Sequence, residues 1–186
     1  MAAEVLLSSE AFIKSVSSIS DNVAGKYILP SLREAQEVGL KGILGSNLLS
    51  RLKTLVGSGS INNAAYAAYK ELLDRCQYYL AYATIVEVAQ KTSYKIGNFG
   101  VVKSSDQNLQ VATQDEIVKT QEYYQGKADA LCYELQGWIL ENYASFPELS
   151  QGDCHRIKAN LYSAASCGIW LGGARGKGPY DRRCRR

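Results

Sequence analysis

Residue types that build catalytic and metal sites are scarce in this chain. Its 186 residues include 1 His, 1 Met, 3 Pro and 5 Cys. The cysteines are widely spaced and form no Cys-x-x-Cys pair, so a disulfide framework is not expected. We expect reduced thiols, with Cys76 and Cys132 on the apolar faces of two helices.

The single histidine, His155, gives little support to a nucleophilic or zinc site. A Cys–His pair needs two converging side chains and a group that orients the imidazole, whereas Cys154 is the direct neighbour of His155. Zinc requires about four ligands at short paired spacings. The remaining candidates, Cys167 and Cys184, do not supply them. We therefore expect no catalytic residue, no metal and no cofactor, and a surface position for His155.

Phosphate-loop and carboxylate chemistry are also poorly supported. The loop motif needs Gly five residues before its Gly-Lys pair and Ser or Thr after it. Around Gly176-Lys177 those places hold Leu171 and Gly178. Acidic pairs such as Glu134 and Glu141 fall on solvated helix faces, and acid–base work needs them in a cleft. The sequence therefore predicts a protein that is not an enzyme.

Long hydrophobic runs are missing as well. A membrane-spanning helix needs about 20 apolar residues, whereas the most apolar run, residues 78–89, is short and contains Glu87. The first basic residue is Lys14, and Glu4 precedes it, which is unlike the basic start of a signal peptide. We expect no membrane contact and synthesis in the cytoplasm.

The charge is unevenly divided along the chain. Residues 172–186 hold six basic side chains and one acid, a net charge of +5. Residues 1–171 hold 15 Lys and Arg against 17 Asp and Glu, a net charge of −2. Such a body is a poor general DNA binder, because nonspecific affinity comes from neutralised phosphates. The basic terminus 182–186 is compatible with weak nucleic-acid binding and, equally, with docking on an acidic protein surface.

Apolar residues recur at helical spacing through most of the chain, and this predicts a mainly α bundle of about five helices. Pro30 is placed in the first turn of the second helix, and Thr113 with Glu116 forms a capping box before the last. The predicted helices are residues 10–17, 29–40, 46–56, 63–91 and about 114–143. We divide the chain into a helical body, 1–147, and an extended basic C-terminal arm, 148–186.

Two further features point to interactions with other proteins. Residues 93–112 form a long connection, read as a loop or a short β-hairpin, and long connections are often functional. Thirteen tyrosines are present, many of them on the two long helices. Tyrosine is favoured both in cores and at protein interfaces. The candidates for contacts between subunits are Tyr78, Tyr82, Tyr123 and Tyr133.

Three segments of the chain carry distinctive motifs. The first, residues 28–45, carries a hydrophobic–Pro–x–Leu–x–x–Ala pattern and ends in Leu-Gly. The second is Ser-Glu-Ala-Phe-Ile-Lys at 9–14, and the third is Ile-Gly-Asn-Phe-Gly-Val at 96–101, before the final helix. Together these segments resemble the head-to-tail connector (adaptor) proteins of tailed phages, in particular the type found in crAss-like phages of Bacteroides. The resemblance spans roughly residues 5–145, and the basic arm departs from the short forms of the family.

The resemblance implies a virion structural protein without catalytic activity. Connectors of this type form a ring, typically of about twelve copies, below the portal at the capsid vertex. The ring joins capsid to tail, and DNA passes through its channel without sequence-specific binding. Its implied partners are further copies of the chain, the portal protein and the next ring or tail protein. The alternative is a small helical protein that binds nucleic acid through its basic tail.

The resemblance also assigns roles to two segments. The arm would reach the portal or a neighbouring subunit, with an apolar anchor followed by basic contacts. Its candidate residues are Ile169, Trp170, Leu171, Arg175, Lys177, Arg182 and Arg183. The connection between the last two helices would face the tail or the channel. Its candidate residues are Asn98, Phe99, Lys103, Asp106 and Asn108.

Overall fold

The computed structural model describes residues 4–17, 19, 22–97, 100–103, 113–150 and 156–157. It confirms the predicted mainly α fold. The helices are α1 Glu10–Val16, α2 Gly25–Glu34, a π-helical segment Ala35–Leu40, α3 Lys41–Leu44, α4 Ser46–Gly57, α5 Ala67–Ser93 and α6 Gln114–Glu141. Short 3₁₀ turns lie at Ser60–Asn62, Ala64–Tyr66 and Tyr143–Ser145. Among the described residues, no helix is long and apolar enough to cross a membrane.

A β-hairpin joins the two long helices, as the sequence had suggested. Strand β1, Tyr94–Gly97, pairs antiparallel with β2, Gly100–Lys103. The register sets Tyr94 opposite Lys103, so one of the predicted loop residues lies at the end of a strand. The other four, Asn98, Phe99, Asp106 and Asn108, lie outside the described residues.

Helix α2 begins earlier than the sequence predicted. It starts at Gly25, so Pro30 lies in the second turn, and the prediction of a first-turn proline is wrong. Because proline has no N–H group, the carbonyl of Lys26 loses its helical hydrogen bond there. The carboxylate of Glu10 lies against Gly25, near the positive end of the α2 dipole, and no side chain of α2 caps the helix at Ala24.

The π-helical segment carries a buried glutamine that holds the N-terminal segment. Gln36 is fully buried, and its Oε1 accepts a 2.8 Å hydrogen bond from the N–H of Leu7. Its Nε2 donates to the carbonyl of Val5 at 3.2 Å. Gln77 on α5 donates to the carbonyl of Leu7 at 2.9 Å. Two side-chain amides therefore satisfy both backbone groups of Leu7, whose own side chain is in the core.

Helices α5 and α6 run antiparallel as one long helical pair. Arg75 near the start of α5 donates to Glu134 near the end of α6, at 3.2 Å. Further along, Gln121 of α6 donates to the carbonyl of Val86 of α5 at 3.3 Å. The capping box before α6 is confirmed, because Thr113 and Glu116 exchange both hydrogen bonds.

The core extends past the body boundary predicted at residue 147. Leu149 is 6% exposed and Ile157 is fully buried, and both belong to the main hydrophobic cluster. Arg156 donates hydrogen bonds to the carbonyls of Gly42 and Ile43, the latter at 3.2 Å, at the C-terminal end of α3. Leu149, Arg156 and Ile157 are therefore held against the body.

Candidate subunit interface

The four tyrosines proposed as subunit contacts differ in exposure. Tyr78, Tyr123 and Tyr133 are 48%, 58% and 42% exposed, whereas Tyr82 is half-buried. An exposed tyrosine leaves part of a large apolar ring in water, and contact with another protein would remove that area from water. The three exposed rings are therefore the side chains that would gain most from contact with another protein.

Tyr82 and Tyr123 lie in one aromatic cluster with two residues that sequence reasoning had not selected. Tyr82 stacks on Tyr124 with ring centroids 6.4 Å apart, and Tyr124 meets the edge of Tyr123 at 5.2 Å. The Nζ atom of Lys127 lies 4.4 Å from the Tyr123 centroid and 5.4 Å from that of Tyr82. The spacing of Tyr123 and Lys127, four residues on one helix, is the sequence signal that could have found this cluster.

Lys127 provides the positive charge of this cluster. Hydrogen bonding with the hydroxyl of Tyr123 raises the pKa of Lys127, so the ammonium group stays charged at neutral pH. A cation close to two aromatic faces is attracted by their electron density. The cluster therefore offers apolar rings together with one positive charge.

Tyr78 of α5 lies outside this aromatic cluster and contacts helix α1. Its ring meets Phe12 of α1 edge-on, with centroids 5.5 Å apart. Together with Arg75, Leu131 and Glu134 it also lines a shallow depression of about 220 Å³ between α5 and α6. The four predicted tyrosines therefore do not form one continuous patch.

Between the exposed carboxylates of Glu122, Asp129 and Glu134, α6 carries a narrow stripe without charged side chains, which we call the outer stripe. It consists of Tyr123, Gly126, Ala130, Tyr133 and Gly137, spaced three and four residues apart so that they share one side of the helix. A Cβ atom added at Gly126 or Gly137 would meet nothing within 4 Å. Another backbone could therefore approach α6 closely here. Apolar periodicity predicts only the inward side of α6, so this outward stripe was not predicted from the sequence.

A family model described as "Family of unknown function (DUF6712)" matches residues 40–158. The chain belongs to this family. The match includes α5, the hairpin, α6 and Ile157, so the outer stripe and the aromatic cluster lie within the family region. No curated protein and no solved structure matches the chain.

The described cysteines are poorly suited to nucleophilic chemistry. Cys76 is fully buried, and this burial raises the pKa of its thiol far above the usual range. Cys132 is half-buried, and burial raises its pKa to about 11. Both are therefore protonated at neutral pH, and the thiolate is the reactive form. Within the described ranges, no group of three or more His, Cys, Asp or Glu side chains is placed to hold a metal.

The remaining predicted residues fall outside the described part of the chain. They are the cysteines and the histidine of the C-terminal region, Cys154, His155, Cys167 and Cys184, and all seven arm residues, Ile169, Trp170, Leu171, Arg175, Lys177, Arg182 and Arg183. Their assignments stay predictions.

Proposed function

We propose that this protein is a virion structural component that forms a ring below the portal, joins capsid to tail and extends the DNA channel. The observation that carries the proposal is the outer stripe of α6, which presents two exposed tyrosines and three small residues without a charged side chain. A solvated helix face of a monomer normally carries charged and polar residues. The resemblance of residues 28–45 to connector proteins adds the ring and its place in the virion.

Two properties of this surface suit contacts between copies of the chain. The glycines allow close approach of a second helix, and the tyrosines supply rings that keep their hydroxyls hydrated. The adjoining cluster of Tyr82, Tyr124 and Lys127 extends the surface onto α5. Stable interfaces bury about 800 Å² per partner, so the tyrosines act as anchors within a larger contact.

The other partners are proposed from the arm, the hairpin and the charge. The arm binds the portal, and the connection between α5 and α6 faces the tail or the channel. Residues 1–171 carry a net charge of −2, which lets DNA slide past without sticking. Location at the head-to-tail junction of the virion follows from these contacts.

Self-association of the full chain tests the proposal. We expect Tyr123→Glu combined with Tyr133→Glu to weaken assembly roughly 1,000-fold, because each interface anchor contributes about 2 kcal/mol. Leu29→Glu is the matched control, since Leu29 is 43% exposed on α2, away from the outer stripe. Light scattering across concentrations, and electron microscopy with and without the portal protein of the same phage, give the readout.

Three results would contradict the proposal. The first is a chain that stays monomeric at all concentrations and with portal protein. The second is a double tyrosine variant that assembles as the control does. The third is duplex DNA binding at low salt that falls as the salt concentration rises, which would favour the alternative of a protein that binds nucleic acid through its basic tail.

A further inference from the structure

A groove runs along the side of the α5–α6 pair that faces the π-helical segment, and we call it the acidic groove. Its first part, about 420 Å³, is lined by Val38 and Gly39 of the π segment, Tyr79 and Ala83 of α5, and Ala128 of α6. Its second part, about 470 Å³, continues along α6 as far as Gly126, which lies at the edge of the outer stripe. Both parts share Val86 and Gln125, so the two form one continuous depression. Its size falls in the range of ligand and side-chain pockets.

The floor of the acidic groove is apolar and built from small residues. Gly39 packs directly against the hydroxyl of Tyr79, and a Cβ atom there would displace the ring. Burial raises the pKa of Tyr79 to about 12, so its hydroxyl stays neutral. Val38 is 76% exposed at the edge, which is unusual for an aliphatic side chain and leaves it free to contact an occupant. The floor therefore fits apolar side chains.

The rim of the groove is acidic. Its carboxylates are Glu34 and Glu87 in the first part and Glu122 and Asp129 in the second. Among the described residues that line the groove, none is Lys or Arg. Two of the carboxylates have neighbours, since Lys91 pairs with Glu34 at one end and Gln125 donates to Asp129 at 2.8 Å. An occupant would therefore bring apolar side chains together with positive charge.

The described chain ends beside this groove. Arg156 binds the carbonyls of Gly42 and Ile43, about one helical turn beyond Gly39. The segment that follows Ile157 has the composition that the groove requires. It contains Ile-Trp-Leu at 169–171, and residues 172–186 carry a net charge of +5.

We propose that the acidic groove holds this chain's own C-terminal arm in the isolated subunit. Ile169, Trp170 and Leu171 cover the apolar floor, and Arg175 and Lys177 meet the rim carboxylates. The twelve residues from Ile157 to Ile169 span up to roughly 40 Å, which is ample for an attached segment to reach the groove. A tethered segment has an effective concentration in the millimolar range, so even weak contacts keep it docked.

This inference goes beyond the proposed function and does not depend on it. The arm stays in the groove until a partner that binds the arm or the groove displaces it, whether or not that partner is a portal protein. Ring formation is measured by the size of the assembly, whereas arm docking is measured on Trp170. Failure of one is therefore distinguishable from failure of the other.

Trp170 is a direct probe, because the chain has only 2 Trp. In Trp138→Phe, fluorescence comes from Trp170 alone, and Phe keeps a ring against Phe146. We expect blue-shifted emission and weak acrylamide quenching, both unchanged on dilution. Should Trp138→Phe fail to fold, the indole N–H signals of the unmodified protein, assigned with Trp170→Phe, report the same environment.

Charge reversal at the rim tests the site. Glu87→Lys should weaken docking about two- to five-fold, as loss of one exposed ion pair does. Val38→Lys should also weaken docking, because it adds a positive charge at the same edge, and both variants should raise the quenching of Trp170. Val38→Glu should strengthen docking at the same position. Asp74→Lys is the matched control, because Asp74 is an exposed carboxylate of α5 that does not line the groove.

Some outcomes overturn the proposal. One such outcome is strong acrylamide quenching of Trp170 when the rim residues are unmodified. Another is an equal change in quenching for Asp74→Lys and Glu87→Lys. Either outcome shows that the arm is not in the groove. If Trp170 loses its protection from acrylamide at the dilution at which a dimer dissociates, the groove is occupied by the arm of a second copy. That result also rejects docking within one chain.

Discussion

Replacing Gln36 with methionine should loosen the N-terminal segment and destabilise the whole fold. The variant keeps an unbranched side chain of similar length but loses the hydrogen bonds to Leu7 and Val5. Leu7 is 2% exposed, so its N–H cannot regain water, whereas Val5 is only half-buried. A buried group left without a partner costs about 1–3 kcal/mol, and we expect a loss near the middle of this range, about 2 kcal/mol.

Urea denaturation of the full chain measures this loss. With a slope of about 2 kcal/mol per molar urea, the midpoint should fall by about 1 M. Gln77→Met removes only the bond to the Leu7 carbonyl and should cost about 1 kcal/mol. Gln125→Met is the control, because Gln125 is exposed and bonds only within α6, so its effect should stay within about 0.5 kcal/mol.

Hydrogen exchange of the N-terminal peptide shows where the loss arises. Residues 4–8 should exchange faster in Gln36→Met under native conditions, while α5 keeps its protection. The reasoning is refuted if Gln36→Met unfolds at the midpoint of the unmodified protein, or if it is destabilised while the exchange of residues 4–8 is unchanged.

Two further predictions concern ionisable groups. The hydrogen bond from Lys53 lowers the pKa of Glu37 below its ordinary value of 4.5, so the stability it contributes is complete above that pH and is lost as pH falls through the lowered pKa. Because the pair is partly exposed, this contribution is at most about 1 kcal/mol, and Lys53→Met should flatten the dependence of the urea midpoint on pH below 4.5. The buried thiol of Cys76 should resist iodoacetamide in the native protein and react on unfolding, as judged by mass spectrometry, with Cys132 intermediate. Alkylation of native Cys76 as fast as in urea would contradict its burial.

Local sequence patterns placed the candidate interface tyrosines on long helices, but they did not show which of the rings are exposed. The positions of Tyr123 and Tyr133 on a long helix were predictable from periodicity. Whether each ring lies in the core or in water depends on which side of α6 the other helices cover. Tyr78 shows this, because Phe12, distant in sequence, packs against it. The local spacing of residues cannot specify a contact between side chains that are distant in sequence.

Helix existence and several helix ends are properties of the sequence itself. The spacing of apolar residues fixed α4, α5 and α6, and the exchange of hydrogen bonds between Thr113 and Glu116 involves residues only three apart. These features depend on neighbours within about one turn, which is why local pattern specifies them.

Tertiary structure decided the features that join distant parts of the chain. Gln36 is buried because it binds the backbone of residues 5 and 7, and Ile157 completes the core from beyond the predicted body. The acidic groove likewise exists only because three helical elements meet. A polar side chain is stable inside a protein when distant groups satisfy its hydrogen bonds, and only the folded chain brings those groups together.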